Sequence, residues 1–118
     1  MWDVTCSDTL APSHLNRAVT GPGVVATDAE SHKLTKYETI SRTHCFIPIA
    51  DETLGALGDD ATAFLKDLGG RIATVTKEHR ATEFLLQRVS VALHRGNAAC
   101  IFGTLPNSAD LDDIFYLI

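Results

Sequence analysis

With 118 residues, of which 45% are hydrophobic, the chain has the size of one small domain or part of a larger one and enough apolar side chains for a core. Its net charge is -5 at pH 7, opposite to the basic balance by which isolated nucleic-acid-binding domains neutralise phosphate, so a polynucleotide role would rest on a local basic face. No apolar run approaches the roughly 18 residues of a membrane span, and no basic region followed by an apolar segment opens the chain, so neither a transmembrane helix nor a signal peptide is predicted and an intracellular location is expected.

In chain order, Trp2, Asp3, Val4, Thr5 and Cys6 read as a short buried strand with a carboxylate inside it, ended by the polar Ser7, Asp8 and Thr9. Residues 11–20 contain Pro12 and run into Gly21, Pro22 and Gly23, which predicts a loop with one helical turn. A helix is predicted over 23–41, with Pro22 near its first turn. Residues 44–50 read as a second strand that Pro48 places at an edge. After a loop over 51–58, Asp59 or Asp60 can cap a third element, in which Ala61, Phe64, Leu65, Leu68, Ile72 and Val75 recur at helical spacing and Gly69-Gly70 predicts a kink. A further helix over 80–95 carries Ala81, Phe84, Leu85, Val89 and Ala92 and is expected to stop at Gly96-Asn97. The apolar end of the chain, Ile114 to Ile118, needs a surface to dock on.

Strand, helix, strand, helix, helix is the order of an α/β unit, or of an α+β one, with a partial mixed sheet of two or three strands flanked by three or four helices. Two strands alone seldom make a stable sheet. Either the chain dimerises or further strands precede Met1, and the second is the expectation. Cys6, Cys45 and Cys100 are widely spaced and odd in number, so they are expected to be buried free thiols rather than disulfides or zinc ligands. The five histidines also lack metal-ligand spacing.

On a helical wheel of residues 24–41, Val25, Ala26, Ala29, Tyr37 and Ile40 share an arc of roughly 120°, and Lys33 and Lys36 fall inside it. Asp28, Ser31, Thr35, Glu38 and Thr39 fall outside, as a solvated face should. Lysines on an apolar arc are costly unless paired or reaching past it to water. One reading is that both ammonium groups simply snorkel to solvent; the other is that they point over the first strand toward Asp3. An Asp that holds a divalent cation beside a Lys that steadies a phosphate is an arrangement for phosphodiester cleavage. A hard cation takes one or two carboxylates with water and phosphate oxygens, and Asp8, Asp51 and Glu52 are candidates for a second carboxylate. Glu52 with Thr53 can instead cap a helix or turn.

Trp2-Asp3-Val4-Thr5, Lys33-x-x-Lys36-Tyr37, Phe46-x-Pro48 with Glu52-Thr53-Leu54-Gly55, Gln87-Arg88-Val89-Ser90-Val91-Ala92, and Arg95-Gly96-Asn97-Ala98-Ala99 occur in that order. The series, over residues 2–105, resembles the C-terminal region of reverse-transcriptase polyproteins of non-LTR retrotransposons that carry a restriction-like endonuclease. The resemblance implies half of a PD-(D/E)xK nuclease fold over residues 1–105, followed by a tail over 106–118. It also implies Mg²⁺ or Mn²⁺ as cofactor, DNA as partner, and nicking of target DNA as the ancestral activity, with an intracellular or nuclear location. By the same resemblance Asp3 matches the metal ligand, and Lys33, Lys36 and Tyr37 match the catalytic segment, Lys36 being the closer match to the catalytic Lys. The family's preceding Pro-Asp strand and Cys/His zinc segment have no counterpart in the sequence. The chain therefore reads as a fragment or relic truncated at its N-terminus, expected to lack a complete site when isolated.

Gln87, Arg88 and Arg95 on the last helix are candidates for phosphate contact, the alternative being a solvated face. The rival functional reading is a non-enzymatic helical interaction or dimerisation module.

Overall fold

The computed structural model describes residues 1–104. Two strands, β1 (Trp2–Ser7) and β2 (Ile47–Glu52), pair in parallel, Asp3 opposite Pro48 and Ser7 opposite Glu52. Between them lie α1 (Leu15–Ala18), α2 (Val24–Lys36) and α3 (Glu38–Ser41); after them come α4 (Asp59–Thr76) and α5 (Ala81–Gly103). The class is α/β, as the order of elements predicts. An isolated antiparallel bridge from Asp51 to Leu57 lays the turn after β2 against that strand's outer edge. The apolar segment 114–118 lies outside the described residues.

The strands alternate as their period of two requires. Ser7, Pro48, Ala50 and Glu52 are buried, while the intervening Trp2, Val4 and Cys6 are exposed. The expectation of a buried first strand is therefore half right: one face of β1 is covered and the other carries Trp2 in the open. All three cysteines are free and exposed, correcting the expectation of buried thiols. Packing on the sheet comes from α2, which touches both strands, and from α4, which touches β2.

Two buried glutamates fix this packing. Glu52, at the end of β2, accepts the backbone N–H groups of Val25 (3.0 Å) and Ala26 (3.3 Å) in the first turn of α2. Glu30, on α2, accepts those of Asp60 (2.9 Å) and Ala61 (2.8 Å) in the first turn of α4, and that of Ala50 in β2 (3.2 Å). Each helix begins with donors that have no partner inside it and with a partial positive charge, so a carboxylate from a neighbouring element satisfies both needs. Thus β2 caps α2, and α2 caps α4. Glu52 does act as a helix cap; Asp59 and Asp60 do not, because Gly58 is the N-cap residue of α4 and Glu30 reaches it from across the core.

Glycines make these approaches possible. Gly23, at φ 80°, starts α2 in the left-handed region against the carbonyl of Leu57, and a Cβ on Gly58 would collide with the Glu30 carboxylate. Gly69-Gly70 does not interrupt α4, which is one continuous helix from Asp59 to Thr76. Gly69 instead lets α5 approach, a Cβ there lying 2.5 Å from the Thr82 hydroxyl. Nor does Gly96-Asn97 end α5, which continues to Gly103 while the Asn97 amide donates to the Thr53 carbonyl (2.7 Å). The predicted helix over 23–41 is broken at Tyr37 into α2 and the single turn α3.

Candidate functional site

Asp3 lies at the starting end of β1, and α2 runs back along the sheet, so the last turn of α2 returns to that end. There Lys33 Nζ donates to Asp3 Oδ2 at 2.6 Å. The Lys33 side chain is 14% exposed and that of Asp3 40%, so the pair is open to water mainly on the carboxylate side. Lys33 also sits where a cation complements the C-terminal end of the helix dipole. Its place on the apolar arc thus has a partner, so Lys33 does not simply snorkel to solvent.

The structure separates the two lysines. Lys36, the closer match to the catalytic position, does not meet Asp3; its ammonium lies 5.1 Å from the centre of the Tyr37 ring and is exposed. Tyr37 in turn packs on Phe46, ring centres 5.2 Å apart. The turn of helix from 33 to 36 rotates Lys36 past the strand, and the break at Tyr37 redirects the chain there. Lys33 is accordingly the cation of the site.

The candidates for a second carboxylate lie elsewhere. Glu52 is opposite Ser7, four residues along the strand from Asp3, or roughly 13 Å at the rise of an extended chain. Its carboxylate is committed to α2. Asp51 is opposite Cys6 on the alternate face, where burial pushes its carboxyl above the ordinary range; burial followed by the Asp51 charge likewise pushes the Cys6 thiol up. Asp8 Oδ1 accepts the Leu10 N–H in the loop beyond β1 (3.0 Å). Among the described residues no group of three Asp, Glu, His or Cys is placed to hold a metal ion. Asp3 alone, already paired with Lys33, does not fit a resident Mg²⁺ or Mn²⁺.

Gln87, Arg88 and Arg95 share one face of α5 with Phe84, Val91 and Ala92. Helix α5 packs on α4 and reaches the turn after β2, but touches neither β1 nor α2, so this face is not assembled with the Asp3–Lys33 pair. Glu30 is the side chain that sequence reasoning missed. On the wheel it falls just beyond the arc of Val25, Ala26 and Ala29, and a carboxylate so close to an apolar stripe is the signal that could have found it. No helix among the described residues is long and apolar enough to cross a membrane. Comparison with protein-family models, curated proteins and solved structures yields no match to this chain.

Proposed function

We propose that the chain is a fragment or relic of a restriction-like DNA endonuclease domain of retroelement type, associated with nuclear DNA, in which Asp3 and Lys33 are what remains of the cleavage site. The observation that supports it most is the 2.6 Å contact between a carboxylate on a strand end and a lysine thirty residues later on the apolar arc of a helix. An ion pair in that position contributes little to stability, since its carboxylate is well exposed. Its residues instead suit a phosphodiester: Lys33 can hold a phosphate oxygen, and Asp3 can offer one oxygen to a cation whose other ligands are water and the DNA. One carboxylate leaves the isolated chain without cleavage activity of its own.

Fluorescence anisotropy of a short labelled duplex tests this reading. Mn²⁺ should strengthen binding to the wild-type chain, Asp3→Asn should remove that gain, and Lys33→Met should weaken binding with and without the metal. A Mn²⁺ effect that survives Asp3→Asn sinks the reading. The second reading, an interaction module, is favoured by one specific observation, the exposed apolar face of α5.

A further inference from the structure

Helices α4 and α5 form a hairpin whose open side is not covered by any other described element. A hollow of 340 Å³ runs between them, lined by Ile72, Ala81, Phe84 and Leu85, with Glu78 at the α4 end of the hairpin turn and Arg88 on α5. Past Phe84 and Arg88 the exposed face goes on along α5 alone, over Gln87, Val91, Ala92 and Arg95. Phe84 is 45% exposed, Val91 51% and Phe102 48%. Phe84, Arg88, Val91, Arg95, Ala98 and Phe102 follow one another at steps of four and three, the spacing of a seam that receives another helix.

The charge of this seam is unlike that of the rest of the chain. Residues 84–103 contain two arginines and a histidine and no carboxylate, in a protein of net charge -5. Among the described residues neither Arg88 nor Arg95 has an ion-pair partner, whereas Arg17, Arg42, Arg71 and Arg80 each have one. Seven residues apart on a helix, the two guanidinium groups sit on the same side at a separation of roughly 10 Å along the axis.

We propose that the α4–α5 groove is a docking site for an acidic amphipathic helix of a partner protein, with apolar side chains entering on either side of Phe84 and two carboxylates, two turns apart, meeting Arg88 and Arg95. The charge pattern selects this occupant over two others. A second copy laid antiparallel about the seam's midpoint would set Phe84 against Phe102 and Arg88 against Ala98, enclosing four guanidinium groups in one interface to which residues 84–103 bring no carboxylate, and that opposes self-pairing. Nucleic acid would use the arginines but leave Phe84, Val91 and the apolar floor uncovered, and phosphate contacts alone do not require them. The proposal concerns a surface separate from the Asp3–Lys33 pair and stands whether or not that pair touches DNA.

The test uses the full chain and a synthetic labelled peptide helix with Leu and Phe on one face and two Glu seven residues apart beside it. Fluorescence polarisation should show saturable, salt-sensitive binding; Phe84→Ala should weaken it, and Arg88→Glu with Arg95→Glu should weaken it about tenfold or more. A matching peptide with Lys for both Glu should recover affinity for the charge-reversed protein, a rescue that a misfolded variant could not show. Phe84 and Arg88 are exposed and Arg95 is half-buried, and far-UV circular dichroism of each variant should match wild type. The proposal is overturned by absence of peptide binding, by binding indifferent to charge reversal, by a wild-type dimer that Phe84→Ala dissociates, or by a duplex that displaces the peptide and is itself insensitive to Phe84→Ala.

Discussion

Removing the Glu30 carboxylate should be the most damaging single change in the described fold, and the reason is countable. Its side chain is 1% exposed and accepts three backbone donors, from Ala50, Asp60 and Ala61. Hydrogen bonds to a charged acceptor contribute about 1.5–3 kcal/mol each, but the 3.2 Å contact to Ala50 is long and the donor of Asp60 can regain water. Glu30→Ala should therefore cost about 3–5 kcal/mol, a large part of the ~5–15 kcal/mol of a typical domain. In Glu30→Gln the amide oxygen can keep the two bonds made by Oε1, to Ala50 and Ala61, while the NH₂ faces the donor of Asp60, so a smaller loss of about 1–3 kcal/mol is expected. Gly58 completes the argument because an added methyl would run into this carboxylate. Gly58→Ala should cost about 1–3 kcal/mol in the wild type and much less once Glu30 is Ala, giving a coupling of about 1–3 kcal/mol in the double-mutant cycle. Urea unfolding followed by far-UV circular dichroism, at unchanged m value, measures all four species. A cost below about 1 kcal/mol for Glu30→Ala, or additivity with Gly58→Ala, would refute the capping account.

The glycine pair in α4 should split: Gly69→Ala forces the added methyl onto Thr82 and destabilises by about 1–3 kcal/mol, while Gly70→Ala, with nothing near its Cβ, stabilises by up to about 1 kcal/mol. Thermal unfolding of the two variants decides it, and equal shifts would contradict the close α4–α5 approach. The Asp3–Lys33 contact should give a coupling of about 0.5–1 kcal/mol in an Asp3→Asn, Lys33→Met cycle at low salt, shrinking in high salt; a larger, salt-independent value would mean the pair is structural. Alkylation of Cys6, followed by peptide mass spectrometry across pH, should have its midpoint above the ordinary 9.0, and Asp51→Asn should lower it. Because the folded state holds the Asp51 proton more tightly than the unfolded chain, this group lowers stability as pH rises from the unfolded pKa to the raised folded one. Asp51→Asn should accordingly help stability at neutral pH and lose that advantage in acid; a benefit that grows on acidification would reverse the sign.

The class of the fold and the Asp3–Lys33 meeting were legible because they depend on period. A short apolar, β-branched run marks β1, a wheel marks the buried arc of α2, and a lysine on that arc must find a carboxylate or water. What stayed hidden depends on contacts between elements distant in the chain. Nothing local in Gly69 says whether a glycine bends its own helix or admits another, and only Thr82 of α5 decides that it admits one. Asp59 and Asp60 satisfy every local rule for a cap, yet Glu30 arrives from α2 and takes the donors first. Between Lys33 and Lys36 the wheel did not choose, because both lie in the arc; the end of β1 chose Lys33. Arg88 and Arg95 lie on α5, which touches neither β1 nor α2, so their distance from the Asp3–Lys33 pair is likewise a matter of contacts between elements that no local pattern encodes.

The central claim, that the Asp3–Lys33 end of the sheet is a remnant of a DNA-cleaving site, is tested most directly by locating the metal on the protein–DNA complex. Backbone amide NMR spectra with a short duplex and increasing Mn²⁺ should show broadening that begins at Asp3, Val4 and Lys33 and disappears in Asp3→Asn. Broadening that centres on Asp59, Asp60 and Asp67, or that Asp3→Asn leaves unchanged, would contradict the claim.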